Sequence, residues 1–314
     1  MKVGSLFAGI GGIELGFEQA GFHTVWANEI DKDACITYRY NFPNVKLLEG
    51  DIRCIDVSAL EYADVLTAGF PCQSFSVCGN RKGFADERGN LFFEIMRVAD
   101  VIHPSVIFLE NVSNLAEHDS GRTLNTIHNE LITRDYFIRY LVADACDYGI
   151  PQHRTRIYIV AFKLQEMCDR FSFPEKCELR KKIFDIIDKY QRNDDKYYLK
   201  PGTKQYKKMI EAMVDDNQIY RFSDYGIQGS KDGISFTLKA NMGTWYNRVP
   251  IIKDNYGLRK ITPYEALALQ GFPNTFKFRG ISIQSAYKQT GNSVCVPVIK
   301  KIAENIIKVI KLLR

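Results

Sequence analysis

The chain lacks any run of about 18 apolar residues, so nothing in it is expected to span a bilayer. Met1-Lys2-Val3 leads straight into a strand-like segment where a secretory leader would carry a charged start and an apolar core, and the expected compartment is the cytoplasm. A C-x-x-C pair is also missing, as is any cysteine–histidine spacing suited to zinc. The 8 cysteines, at 35, 54, 72, 78, 146, 168, 177 and 295, are scattered, which favours reduced thiols over a disulfide framework and gives no reason to expect a metal. The G-x-G-x-x-G spacing of dinucleotide-binding loops is absent too, because the glycines after the opening strand fall at 9, 11, 12 and 16. That spacing counts against a dehydrogenase.

What is present supports a globular α/β protein. A chain of 314 residues with 46% hydrophobic composition can bury one large domain and a smaller one appended to it. Its formal net charge of +5 fits an anionic partner without requiring one. The first half alternates short strands with amphipathic helices: Lys2 to Leu6, a helix over Gly12 to Ala20, a strand over Thr24 to Ala27, then Val65 to Thr67 and Ser105 to Leu109. This alternation predicts a doubly wound, mostly parallel sheet with ligands beyond the carboxyl ends of its strands. Tyr136 to Val142 and Arg156 to Phe162 read as two later strands, paired antiparallel. After Phe162 the composition changes, and from about Glu175 to Lys208 the chain is crowded with Lys, Asp, Glu and Tyr, as a linker into a separate unit would be. Pro297 to Leu313 carries apolar residues at 298, 299, 302, 303, 306, 307 and 310, a helical stripe expected to pack on the first domain.

Chemistry gathers at the predicted strand ends. Phe7-Ala8-Gly9-Ile10-Gly11-Gly12 follows a strand and opens a helix, so its backbone N–H groups can approach a ligand closely, although a plain tight turn would look the same. Glu29 at the next strand end can hold ribose hydroxyls, and Asp51-Ile52 follows the third. Three such positions in succession point to an adenosine-containing cofactor. Cys72 lies in Gly69-Phe70-Pro71-Cys72-Gln73-Ser74-Phe75-Ser76, directly after an apolar run, which is how a parallel sheet delivers a nucleophile to its edge. Taken alone, a cysteine so placed is more often buried and structural than reactive.

Together with Glu110-Asn111-Val112, Gln152-His153-Arg154-Thr155-Arg156 and Gly291-Asn292-Ser293-Val294, these stretches occur in an order that resembles the cytosine-5 DNA methyltransferases over nearly the whole chain. The resemblance is to small bacterial members of restriction-modification systems. It implies an S-adenosylmethionine-binding domain over 1–184, completed by 283–314, and a target-recognition domain with its hinge over 185–282. Duplex DNA is the implied partner, a cognate endonuclease would act on the same sequence without direct contact, and a monomer is the family precedent. The cofactor is expected on Phe7, Gly9, Gly11, Gly12, Glu29, Asp51, Ile52, Pro71, Asn292 and Ser293. Arg154 and Arg156 are implied to hold the base, although alternating arginines could also be the solvent face of the strand that follows.

The chemistry required by that activity agrees with these residues. Carbon 5 of cytosine is a poor nucleophile until something adds at carbon 6, and a thiolate such as that of Cys72 suits the task. Negative charge then builds toward ring nitrogen 3, which a neutral Glu110 could relieve. An unperturbed glutamic acid is only about 0.2% protonated at pH 7, so its surroundings or the bound base must favour the acid form. The target must also be flipped out of the duplex, at a cost of a few kcal/mol.

Ser74 to Asn90, with Arg81, Lys82, Arg88 and glycines at 79, 83 and 89, reads as a basic loop able to close over DNA; Gln73 and Ser76 at its start are expected to touch DNA as well. A solvated surface loop is its plainer reading. Thr237-Leu238 and Asn241 match the family's Thr-Leu element near the flipped base. Two other activities stay open: an RNA methyltransferase, whose Cys-Phe-Thr element is not found here, and a silent DNA-binding regulator, which would need neither Cys72 nor Glu110.

Overall fold

The computed structural model describes residues 1–71, 91–244 and 248–313. The chain divides into two compact units: Met1–Asp144, Thr155–Glu175 and Val298–Arg314 form the first, and Ala145–Arg154 with Lys176–Pro297 form the second. The expected boundaries at 184/185 and 282/283 differ from these. The segment around Gly291 packs inside the second unit, for a reason given below.

In the first unit the elements run β1 (Lys2–Leu6), α1 (Gly12–Gln19), β2 (His23–Glu29), α2 (Lys32–Asn41), β3 (Lys46–Glu49), β4 (Val65–Gly69), α3 (Leu91–Ile102), β5 (Val106–Val112), α4 (Arg122–Ile132), β6 (Phe137–Asp144), β7 (Thr155–Phe162) and α5 (Gln165–Arg170). The strands make a 7-stranded sheet in the order β3-β2-β1-β4-β5-β7-β6, parallel from β3 to β5 and antiparallel at β5–β7 and β7–β6. The doubly wound expectation and the late antiparallel pair are both borne out. Val65 to Ala68 and Val106 to Leu109 are buried at every position. Successive strand residues face opposite sides, so both faces of the sheet are covered there, which explains the unbroken apolar runs.

The start of α2 is set by a side chain, and those of α1 and α4 by left-handed glycines, Gly11 and Gly121. Asp31 caps α2 by accepting from the Asp33 and Ala34 N–H groups at 3.0 and 3.2 Å. The last helix of the chain, Val296–Leu312, belongs to the first unit from Val298 on. All seven positions of its expected stripe are buried. Asn305 on its other side donates to the Ser172 carbonyl at 3.0 Å.

The second unit holds α6 (Lys204–Ala212), β8 (Tyr220–Ser223), β9 (Gly226–Gly229), β10 (Ile251–Asp254), β11 (Gly257–Lys260), α7 (Pro263–Ala268) and α8 (Ile283–Asn292), which makes Val296–Leu312 α9. Its strands form an antiparallel sheet in the order β11-β10-β8-β9. Arg259, fully buried on β11, donates to Asp254 at 2.7 Å and to both Glu265 oxygens at 2.7 and 2.8 Å, tying the β10–β11 hairpin to α7. Glu265 also closes the capping box of α7 with Thr262. A Cβ on Gly291 would lie 2.2 Å from the Lys239 carbonyl carbon, so only glycine lets α8 approach the 239–240 backbone. No helix among the described residues is long and apolar enough to cross a membrane.

Candidate catalytic edge and recognition cleft

β1 lies between β2 and β4, so the strand order reverses beside it and opens a crevice at the carboxyl ends of β1 and β4. Register fixes what meets there: Leu6 pairs with Asn28 and with Ala68, Glu29 with Glu49, and Gly69 with Glu110. Phe7, Glu29, Gly69 and Glu110 therefore all belong to one edge of the sheet.

At the donor end of that edge Phe7 has φ 55, left-handed backbone that a phenylalanine rarely adopts and that marks local strain. Gly9, at φ +57, has open space where a side chain would sit. Its N–H donates to Glu29 Oε2 at 2.7 Å, while Oε1 accepts from the Ile30 and Asp31 N–H groups at 2.8 and 2.7 Å. Three of the roughly four lone-pair directions of the carboxylate are thus used, which fixes its orientation and leaves about one for an outside hydroxyl. Gly11, in the left-handed region, caps α1, and Gly12 is its first residue. Open backbone at Gly9 beside an oriented carboxylate fits a ribose-bearing cofactor. Ile30, not among the expected residues, is 63% exposed next to Glu29 and offers an apolar face for an aromatic base.

Asp51 and Ile52 fit less directly. Asp51 caps a short 3-10 turn and pairs with Arg53, whose hydrogen bonds hold its carboxyl below the usual carboxylate range. The Ile52 side chain packs in the main core, and its carbonyl accepts from Arg97 at 2.8 Å. Ile52, expected at the cofactor, thus lies just past the carboxyl end of β3 with its side chain in the core and its carbonyl engaged.

At the acceptor end, Glu110 is 8% exposed and its Oε1 lies 3.1 Å from Arg156 Nε, an ion pair between β5 and β7. An arginine at this distance stabilises the carboxylate, so desolvation by the apolar strand is not the whole of its environment. Asn111, quoted in the motif but not among the expected site residues, donates from Nδ2 to the Phe70 carbonyl at 2.8 Å. It moors the chain just before Pro71 and Cys72. Cys72, Gln73, Ser76, Cys78, Arg81, Lys82 and Arg88 lie outside the described residues, as do Trp245 and Tyr246.

In the second unit Arg154 is 2% exposed and donates to the carbonyls of Leu238 at 2.8 Å, Gly291 at 3.1 Å and Ser293. Three backbone acceptors occupy a guanidinium that the resemblance assigned to the base. Gln152, fully buried, donates to the Leu269 carbonyl and accepts from the Leu238 N–H. Thr237 donates its hydroxyl to the His153 carbonyl at 2.6 Å. Leu238, expected to touch DNA, is 1% exposed and part of this unit's core, so its side chain has no face to offer. Asn241 is exposed on the short turn that packs against α8. Asn292 is exposed at the end of α8, and Ser293, its cap residue, is buried.

A reversing parallel sheet with a glycine loop and an acidic strand end at its switch point defines a methyltransferase fold of the kind that binds a nucleoside-bearing donor. The chain belongs to the C-5 cytosine-specific DNA methylase family, whose profile matches residues 1–308. It is 48% identical over 312 residues to the type II methyltransferase M.Bsp6I of Bacillus sp. (strain RFL6), covering 98% of this chain and 99% of that one. With M.HhaI of Haemophilus parahaemolyticus it shares 37% over 305 residues, 96% of this chain and 92% of the relative. Among solved structures, the Entamoeba histolytica methyltransferase EhMeth superposes with TM-score 0.78 at 20% identity, covering 98% of each chain, a likeness of fold. The chain is a DNA cytosine-5 methyltransferase, and its family uses S-adenosylmethionine.

Proposed function

We propose that the chain methylates carbon 5 of a flipped-out cytosine in a short duplex recognition sequence, as the modification enzyme of a type II restriction-modification system, with Cys72 as nucleophile and Glu110 as acid. The observation that carries this reading is the Glu110–Arg156 pair at the sheet edge, one strand from the segment that leads into Cys72. S-adenosylmethionine, when bound, supplies an electrophilic methyl group. Glu29 would orient the ribose, Ile30 would cover one face of the adenine, and the Gly9 to Gly12 backbone would approach the rest.

The residues act on the base in a fixed order. The Cys72 thiolate forms a bond to carbon 6, the 5,6 double bond is released toward carbon 5, and Glu110 hydrogen-bonds or protonates nitrogen 3 as charge builds there. Arg156 keeps Glu110 oriented and balances the carboxylate charge left once the proton has moved to nitrogen 3. Loss of the carbon 5 proton to water, with the nitrogen 3 proton returning to Glu110, later expels the thiolate and restores the ring. Arg154 contributes by position, clamping the Thr237-Leu238 segment to the end of α8.

Fluorine at carbon 5 blocks that last step. Duplex DNA containing 5-fluorocytosine, incubated with protein and S-adenosylmethionine, should give a covalent adduct that Cys72→Ser cannot form. Methyl transfer surviving in Cys72→Ser would overturn the nucleophile assignment. The absence of any adduct on DNA that the wild-type chain methylates would overturn the mechanism.

A further inference from the structure

The second unit carries a cleft of about 280 Å³ whose lining includes Arg221, Gln228, Phe236, Lys239, Asn241 and Arg248. Arg221 on β8 stands directly opposite Gln228 on β9. Its Nε and one terminal nitrogen donate to Gln228 Oε1 at 3.3 and 3.1 Å. The guanidinium carbon lies 4.1 Å from the centre of the Phe236 ring. A cation on an aromatic face with its fork held by an amide is oriented before any ligand arrives.

Its charge has no carboxylate partner among the described residues, whereas Arg248 is paired with Asp224 at 2.5 Å. Burial and the neighbouring Arg248 charge hold its pKa below the ordinary arginine value. A half-buried arginine that has been stripped of water and given no anion gains most from an outside ligand with strong acceptors. A structural arginine of this protein looks different: Arg259 has two carboxylates, and Arg154 has three carbonyls.

We propose that Arg221 reads the major-groove edge of a guanine in the recognition sequence, with Gln228 and Phe236 as the positioning residues that hold its fork. The proposal rests on the DNA methyltransferase reading above. Guanine presents O6 and N7 side by side, and a planar fork satisfies both at once, whereas adenine places a donor where O6 would be. The terminal nitrogen of Arg221 that makes no bond to Gln228, together with the second N–H of the one that does, supplies that fork. Thr237 and Asn241, expected at the DNA from sequence, line the same cleft.

The test uses the full chain, S-adenosylmethionine and a duplex library with randomised bases flanking cytosine, read by bisulfite sequencing. Wild-type protein should yield one consensus containing guanine. Arg221→Lys keeps the charge but loses the fork, so it should accept other bases at one guanine position, with discrimination there reduced about tenfold or more. Gln228→Ala should soften the same position. Should Arg221→Ala fail to fold by thermal melting, the lysine and Gln228→Ala proteins decide. An unchanged consensus in Arg221→Lys, or a loss spread evenly over all positions, overturns the assignment. A wild-type chain that leaves no 5-methylcytosine overturns the functional reading itself, whatever Arg221 does.

Discussion

Glu14 shows how much one residue can weigh. It sits in the first turn of α1, fully buried, and neither carboxyl oxygen has a hydrogen-bond partner among the described residues. Burial pushes its pKa up to about 7, against 4.5 in an open chain, and the charges of Glu18 and Glu29 raise it further. The folded chain therefore holds a proton that the unfolded chain releases between those values. Its contribution is complete below about pH 4.5 and is lost as pH rises to about 7, a swing of roughly 3 kcal/mol at most. Glu14→Gln copies the protonated form. Its urea midpoint should match wild type near pH 4 and exceed it at pH 8; parallel pH profiles for the two proteins would remove the buried-acid account.

At the scale of elements, the buried cluster on β11 decides stability in the second unit. Replacing Arg259 by Leu leaves Asp254 buried without its cation and frees Glu265 from the hairpin, a loss of about 3–5 kcal/mol that chemical denaturation would report. A variant within about 1 kcal/mol of wild type would show that the cluster is dispensable. Elements also show what sequence could and could not tell. β4 and β5 were legible because burial on both faces leaves unbroken apolar runs, and α9 because its stripe has the helical period. β8 to β11 were not, since each is 4 residues long and too short for a period to emerge. The Arg154 clamp was equally hidden, because its acceptors lie 84 to 139 residues further along the chain. Glu110 and Arg156 could be picked out as chemistry, but their pairing follows from a strand register that no local pattern encodes.

For the molecule as a whole, a net charge of +5 and a substrate made of phosphates imply binding through released counterions. The slope of log affinity against log salt should be about −3 or steeper for duplex DNA, measured by fluorescence anisotropy. A slope near zero would leave the basic residues without a role in binding.

The spacing between Gly69 and Glu110 is set by a backbone ladder, and the bond from Asn111 to Phe70 anchors the approach to Cys72 in the same frame. Such a ladder is indifferent to most side-chain identities. Arg221 and its neighbours belong to another compact unit. A lineage can therefore change the word it reads in DNA, substitution by substitution, while the calibration of its chemistry is inherited untouched.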